Sequence, residues 1–189
     1  MKRIGILGGT FDPPHLGHLV IAEEVRVALE LEEIWFIPTY TPPHKNDSQT
    51  SAYHRMKMLE SAIDSNNSFK LNTIEMERLG KSYTIDTVKV LRSEFPDYKF
   101  YFIIGADMVE YLPNWNKIDE LVQLIQFVGV KRPGYKLETH YPLIEVTVPI
   151  LDISSTMLRR RLRNKESIKY IVPDKVHRYI REKGLYEDR

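Results

Sequence analysis

The 189-residue chain contains no cysteine. Disulfide bonds, thiolate metal ligands and a cysteine nucleophile are therefore excluded. The chain also lacks any apolar run near the ~20 residues that a membrane-spanning helix needs, so no membrane partner is expected. Its first residues enter a predicted strand at once, without the basic and apolar arrangement of a secretory signal. A cytoplasmic location is therefore expected.

An excess of charge of one sign is missing as well. The sequence has 27 Lys and Arg against 26 Asp and Glu, which gives a formal net charge of +1. This balance neither favours nor excludes a nucleic-acid partner, because a local basic patch can form on a neutral protein. No repeat, low-complexity segment or linker interrupts the chain, and its length suits one core. We expect a single domain spanning residues 1–189.

Short apolar runs alternate with segments of helical periodicity. The runs predict buried strands, and apolar residues spaced three or four apart predict amphipathic helices. The predicted strands are 4–7, 34–37, 69–76, 98–104, 127–131 and 146–150; the predicted helices are 19–29, 53–64, 84–95, 119–125, 155–163 and 174–183. This order predicts an α/β fold of the Rossmann-like, doubly wound type, with a mostly parallel sheet and helices on both faces. Ligands of such sheets bind outside the carboxyl ends of the strands.

A glycine turn follows the first predicted strand. The residues Gly8, Gly9 and Thr10 precede His15 and His18, which open an amphipathic segment. A strand, turn and helix in this order present backbone N–H groups and a helix N-terminus to an anion, and a nucleotide phosphate is the expected ligand. The turn lacks the Lys-Ser/Thr of a P-loop, and its glycines do not fit the dinucleotide fingerprint.

The two histidines, three residues apart, share one face of a helix start. One interpretation is that they decorate the surface or cap the helix. Metal binding is a second interpretation, but further ligands at a suggestive spacing are missing, so no metal site in the protein is predicted. The third is that they donate hydrogen bonds to a triphosphate. The preceding Gly-Gly-Thr favours the third interpretation.

A second motif lies near the C-terminus, where Ile153, Ser154 and Ser155 precede Arg159. Serine is a preferred N-cap, so a helix is expected to begin here. Hydroxyls, N–H groups and an arginine one turn later form another oxyanion-binding arrangement. A capped surface helix with solvated arginines is the plain alternative. A nucleic-acid patch is disfavoured, because the arginines of 159–163 spread around the helix.

Three isolated residues are weaker candidates. Asp107 follows the strand 98–104 and fits either a contact to a sugar hydroxyl or metal, or a helix cap. Trp115 either anchors its loop or offers a flat face to a planar ring. Lys45 lies in the long predicted loop 39–51, where it is either solvated or able to reach a substrate phosphate.

Taken together, these segments resemble the nucleotidyltransferase superfamily. The match rests on His15-Leu16-Gly17-His18 and on the serine-rich helix start with Arg159. Within the superfamily, the whole chain is similar to the bacterial nicotinate mononucleotide adenylyltransferases. Further points of similarity occur in the same order along the chain: 42–45, 82–84, 105–108 and Trp115.

This resemblance implies a reaction of ATP with nicotinate mononucleotide that gives nicotinate adenine dinucleotide and pyrophosphate by direct in-line attack. Mg²⁺ would accompany ATP. Both substrates are small molecules, and a nucleic-acid partner is not implied. The apolar surface of the last two predicted helices leaves a homo-oligomer possible.

Carried over by motif position, the resemblance also implies residue roles. His15, His18, Thr10 and Lys45 would serve catalysis, and Lys45 would also bind the mononucleotide phosphate. Backbone N–H groups of Thr84 and Asn116 would bind the pyridine carboxylate, where relatives often carry an aromatic in place of Asn116. The other ligand contacts implied are to ATP from Gly8, Gly9, Thr10, His15, His18, Ile153, Ser154, Ser155 and Arg159, and to the mononucleotide from Asp107 and Trp115.

Other functions remain as alternatives at this point. An adenylyltransferase of the same fold could act on nicotinamide mononucleotide, phosphopantetheine or flavin mononucleotide. Trp115 and the segment 82–84 favour a pyridine substrate, because phosphopantetheine has no ring to stack. A non-catalytic nucleotide- or RNA-binding module would keep the arginine run without needing both histidines.

Overall fold

The computed structural model describes residues 1–40, 50–78, 82–131, 137–149 and 151–187. These residues build a six-stranded sheet in the order β3-β2-β1-β4-β5-β6, and the strand pairs in it are parallel. The strands are β1 (Lys2–Gly9), β2 (Glu33–Pro38), β3 (Phe69–Leu71), β4 (Tyr98–Gly105), β5 (Gln126–Lys131) and β6 (Leu143–Thr147).

Helices connect the strands and close the chain. They are α1 (Leu16–Ala28), α2 (Ala52–Ile63), α3 (Ile74–Glu77), α4 (Thr84–Glu94), α5 (Ala106–Tyr111), α6 (Ile118–Leu124), α7 (Ser155–Arg163) and α8 (Asp174–Lys183), with a 3-10 helix at Leu112–Asn114. Both α7 and α8 have the predicted bounds. In the described part of the chain, no helix is long and apolar enough to cross a membrane.

Each face of the sheet buries its own apolar core. Alternate strand residues point to opposite faces. Leu7 belongs to the core that includes residues of α1, α2, α7 and α8, whereas Ile6 belongs to the core that includes residues of α4, α5 and α6. Helices therefore cover both faces, which confirms the predicted doubly wound fold.

The strand order reverses between β1 and β4. The chain first passes from β1 to β2 on one side and later returns to β4 on the other. The connections on the two sides diverge there and leave a crevice at the carboxyl ends of these two strands. Gly8 and Gly9, predicted as a turn, are instead the last residues of β1, because they pair with Ile37 and Pro38 of β2. The turn that follows begins at Thr10. This turn lies at the crevice, as do Gly105 at the end of β4 and Asp107 in α5.

Two predicted strands have the wrong bounds. The strand predicted at 69–76 ends at Leu71, because the side chain of Asn72 accepts the N–H of Ile74 and turns the chain into α3. The strand predicted at 146–150 lies instead at Leu143–Thr147, where pairing with β5 sets its register. Residue 150 lies outside the described residues.

Candidate active site

The turn after β1 holds a strained backbone. Phe11 has a φ of 50°, in the left-handed region that bulky side chains avoid. Its buried ring lies edge-on to the ring of His18, with centroids 5.0 Å apart, and also contacts Phe36. A strained residue fixed by packing on both sides is typical of functional loops. The turn therefore presents the following histidines from a rigid base.

The two histidines interlock at the start of α1. His15 is the N-cap residue, and Nδ1 of His18 accepts the backbone N–H of His15 at 3.2 Å. This contact is half of a capping box. Because Nδ1 is the acceptor, the proton of the neutral His18 ring is assigned to Nε2. The rings stack with centroids 3.8 Å apart.

Gly17 makes room for this arrangement. A Cβ atom at position 17 would lie 2.9 Å from Nδ1 and 3.0 Å from Cε1 of His15. Such distances are shorter than van der Waals contact, so a side chain at this position would displace the imidazole. The glycine between the two histidines is therefore required by the packing of the His15 ring.

His15 is the more buried of the pair, with 6% of its surface exposed. Burial lowers the pKa of His15 from 6.5 to about 4, because the charged imidazolium would lose its hydration. The ring is thus neutral at pH 7. Its Nδ1 is buried and has no hydrogen-bond partner among the protein atoms described. A buried polar atom without a partner is costly unless a ligand contacts it.

The start of α7 lies against the same turn. The Ser154 hydroxyl accepts the N–H of Met157 at 3.1 Å and caps the helix, as predicted. The Ser155 hydroxyl donates to the carbonyl oxygen of Pro13 at 2.8 Å, and Arg159 donates to that of Asp12 at 2.8 Å. The structure therefore brings the two sequence motifs together, although they are more than 130 residues apart.

A cavity of about 530 Å³ opens beside the histidines, a volume within the usual range for small-molecule sites. Its wall includes His15, Ile153 and Asp107, which come from α1, the approach to α7 and the first turn of α5. Asp107 is exposed. It is not the N-cap of α5, because Gly105 occupies that position.

The predicted pyridine contacts lie elsewhere. Thr84 is the first residue of α4 on the opposite face of the sheet from α1. Trp115 is half-buried and lies perpendicular to the rings of Phe102 and Phe127, with centroids 5.8 Å away in each case. Asn116 is exposed. None of the three lines the cavity beside the histidines, and Lys45 lies outside the described residues.

Sequence reasoning missed a buried polar cluster beneath the turn. Arg55 of α2 is fully buried, and Asp12 is 2% exposed. The Tyr186 hydroxyl donates to Oδ1 of Asp12 at 2.6 Å, and burial together with this carboxylate raises the pKa of Tyr186. No local pattern in the sequence indicates this cluster, because its members come from three distant segments.

This geometry coincides with a match to known proteins along the chain. Residues 6–161 match the cytidylyltransferase-like family. A Bacillus subtilis protein named nicotinate-nucleotide adenylyltransferase is 57% identical over 188 residues, which cover 99% of this chain and 100% of that protein. This chain belongs to the cytidylyltransferase-like family and, within it, to the nicotinate-nucleotide adenylyltransferases.

Another relative of this adenylyltransferase comes from Oceanobacillus iheyensis. It is named "Probable nicotinate-nucleotide adenylyltransferase" and is 62% identical over 186 residues, which cover 98% of this chain and 97% of the relative. The prediction of a nucleotidyltransferase is confirmed. The non-catalytic binding module is not favoured.

Solved structures agree on the architecture of this adenylyltransferase. The Plasmodium falciparum nicotinic acid mononucleotide adenylyltransferase complexed with NaAD aligns with a TM-score of 0.84 at 24% identity, covering 98% of each chain. The same protein complexed with APC aligns with a TM-score of 0.81 at 23% identity. This likeness confirms the fold class.

Proposed function

We propose that this enzyme transfers the adenylyl group of ATP to nicotinate mononucleotide, giving nicotinate adenine dinucleotide and pyrophosphate in NAD biosynthesis. The observation that carries the proposal is the pair of stacked histidines at the start of α1, beside the start of α7. Two helix N-termini that meet at one turn suit a polyphosphate. The names of the relatives supply the second substrate.

The reaction is a single displacement at phosphorus. A phosphate oxygen of the mononucleotide forms a bond to the α-phosphorus of ATP, and the bond from that phosphorus to the oxygen bridging to the β-phosphorus breaks. Both electrons of the broken bond leave with pyrophosphate. Such transfer requires positioning and charge stabilisation more than a covalent intermediate. The site accordingly offers hydrogen-bond donors.

The histidines would stabilise the charge that develops on the transferred group. The His18 proton assigned to Nε2 suits donation to an oxygen of the α-phosphate. His15 would donate from a ring N–H, in the plane of the ring, or take up a proton when the triphosphate arrives, since a nearby anion favours the charged imidazolium. Gly8 and Gly9 at the end of β1, together with Thr10 in the turn, would contact the phosphates.

The start of α7 would hold the β- and γ-phosphates. The Ser155 hydroxyl and the Arg159 guanidinium already donate to carbonyl oxygens of the turn. Contacts to ATP would therefore come from the backbone N–H groups of the first helical turn, which have no partner within a helix. Ser154 and Ile153 would place that turn, and Arg159 would add positive charge.

The cavity beside His15 would take the adenosine. Asp107 in its wall, which the resemblance assigns to the mononucleotide, would accept a ribose hydroxyl of that substrate. Nicotinate would lie towards Trp115, whose buried indole N–H has no acceptor among the protein atoms described. Backbone N–H groups of Thr84 and Asn116 would bind the carboxylate, and Lys45 would contact the mononucleotide phosphate.

Mg²⁺ would be bound mainly by the ATP phosphates and water. The described residues contain no group of three or more His, Asp or Glu side chains placed to hold a metal ion, and Mg²⁺ commonly keeps several waters beside substrate phosphates. When bound, the ion neutralises charge on the triphosphate. A cytoplasmic location and a homo-oligomer stay predictions from the sequence.

A paired assay tests the proposal. Purified protein is incubated with Mg-ATP and either nicotinate or nicotinamide mononucleotide, and the products are separated by chromatography. Dinucleotide formed mainly from the acid is the expected result. Equal use of both acceptors would contradict the account of carboxylate recognition, whereas no product from either would contradict the assigned reaction.

A further inference from the structure

Arg55 is a fully buried arginine that makes no contact in the proposed reaction. Its Nη1 atom donates to the carbonyl oxygens of Thr10 and Thr39, each at 2.8 Å, and Nη2 donates to that of Tyr40 at 2.9 Å. One guanidinium on α2 thus joins the turn after β1 to the chain leaving β2. These partners are separated from Arg55 by 45, 16 and 15 positions in the sequence.

The three carbonyls lie where the sheet no longer provides partners. The N–H of Thr39 donates to the carbonyl of Gly9 at 2.9 Å, which continues the ladder between β1 and β2 to its end. Beyond that bond the half-buried carbonyls of Thr10, Thr39 and Tyr40 need another donor. The planar fork of arginine can serve several acceptors in fixed directions, whereas the ammonium of lysine acts as a point charge.

Charge on the same cluster supports this role. Asp12, two residues after Thr10, accepts from Tyr186 and attracts the guanidinium of Arg55 electrostatically. Burial lowers the pKa of Arg55, while the Asp12 carboxylate partly offsets this effect. The turn is therefore held by the Thr10 carbonyl, which accepts from Arg55, and by the Asp12 carboxylate, which accepts from Tyr186.

We infer that Arg55 is a positioning residue for adenylyl transfer, which fixes Thr10 and the turn that presents the histidines. This inference rests on the function proposed above. A shift of the turn by about 1 Å would misplace the donors and is expected to reduce the rate about 100-fold. Because adenosine would bind in the neighbouring cavity, KM for ATP should change far less than kcat.

The experiment compares Arg55→Met and Arg55→Lys with two control variants in the dinucleotide assay. Arg92→Met removes an exposed arginine of α4 that donates to the carbonyl of Leu124 at 2.9 Å, so it loses a similar contact away from the site. Leu91→Ala destabilises the core on the other face, by about 2–5 kcal/mol for a buried leucine. The folded fraction of each variant is measured by urea unfolding, and kcat is expressed per folded molecule.

The expected result is a kcat at least 30-fold below wild type for Arg55→Met with KM for ATP within about threefold, while both controls keep the wild-type kcat. A wild-type kcat in folded Arg55→Met would overturn the inference, because the arginine would then serve stability alone. If Arg55→Met does not fold, Arg55→Lys decides: a clear fall in kcat supports the inference and an unchanged kcat overturns it. Failure of the wild-type enzyme to form dinucleotide would instead contradict the proposed function.

Discussion

The starts of α1 and α7 present the same backbone but use their side chains differently. Both N-caps are extended, with φ −145° and ψ 170° at His15 and φ −137° and ψ 150° at Ser154. At α7, hydroxyls and a guanidinium donate to the helix and to the neighbouring turn. At α1, two imidazoles stack on each other beside the cavity.

This difference separates a helix start whose side chains serve structure from one whose side chains suit chemistry. Serine is among the best N-cap residues, and here it caps. Histidine is not a preferred N-cap, and a buried one costs stability when it must become charged. His15 is a poor N-cap residue that its neighbours nevertheless hold in place, whereas Ser154 is a good one. An unfavourable residue that is kept by its surroundings is the better sign of function.

The largest effect is expected from replacing His18. His18→Ala should remain folded and lose about 10²–10³ in kcat, because one well-placed donor to a transition-state oxyanion contributes that much. Steady-state dinucleotide formation measures it. His18→Gln is the matched variant, since glutamine at this helix position can still accept the N–H of the N-cap residue.

Glutamine keeps the cap and carries an amide N–H₂ in a different position from the imidazole Nε2–H. Equal losses in His18→Ala and His18→Gln would therefore show that the position of the imidazole donor is required, and that the effect does not come from the lost cap. The exposed His140, replaced by alanine, serves as control and should keep full activity. Unchanged turnover in His18→Ala would contradict the catalytic assignment of α1 and remove the contrast between the two helix starts.

The next effect is expected from Gly17→Ala. The added methyl group would lie 2.9 Å from Nδ1 of His15, so the ring must move and kcat is expected to fall about 100-fold. Alanine is intrinsically about 1 kcal/mol better than glycine within a helix, so a large loss of helix stability is not expected. Kinetics together with thermal unfolding separate the two consequences, and wild-type kcat in a folded variant would show that the stacked geometry is not needed.

A smaller effect is expected from the pH dependence of stability. The pKa of His15 is lowered from 6.5 to about 4, so the unfolded chain binds more protons than the folded one between these values. The contribution of His15 is fully present above pH 6.5 and is lost as the pH falls towards 4, by at most roughly 1.4 kcal/mol per pH unit.

Urea unfolding at pH 7 and at pH 4.5 measures this loss. His15→Asn is the matched variant, because asparagine is a preferred N-cap that does not titrate in this range. The free energy of unfolding of the wild type should fall more steeply with decreasing pH than that of His15→Asn. If the two curves were parallel, burial would not be what keeps His15 neutral.

The smallest effect is expected at α7. Ser155→Ala removes the hydrogen bond to Pro13 while keeping the backbone N–H that would contact ATP, so the loss should be about 1 kcal/mol, the net contribution of one hydrogen bond. That corresponds either to a fivefold to tenfold fall in kcat/KM for ATP or to a fall of about 1 kcal/mol in the free energy of unfolding. The dinucleotide assay measures the first and urea unfolding measures the second. A loss as large as that of His18→Ala would mean that this hydroxyl contacts the reacting phosphate directly.

The elements that could be predicted are those with a local cause. The histidine pair and the capped start of α7 depend on residues within one helical turn of each other, so spacing alone indicates them. The turn predicted at Gly8 and Gly9 comes two residues later, because pairing with β2 extends β1 to Gly9. By contrast, Asn72 ended a strand that apolar residues suggested should continue, because one side-chain hydrogen bond outweighed β propensity.

Arg55 shows what spacing alone cannot reveal. It lies on the predicted helix 53–64, where an arginine would be expected at the solvated surface, yet it is fully buried. Its partners are carbonyl oxygens, which every residue carries and which leave no trace in a sequence. Only the crossing of α2 beneath the ends of β1 and β2 places them together.

The sequence by itself determined the strand–turn–helix motif, the starts of α1 and α7 near their histidines and serines, and the doubly wound class, because each follows from short-range periodicity and capping. The tertiary structure decided that both helix starts meet at one turn, that His15 is neutral and that Arg55 and Asp12 support this turn. These features depend on burial and on contacts between distant segments, and burial is a property of the packed chain rather than of any residue in it.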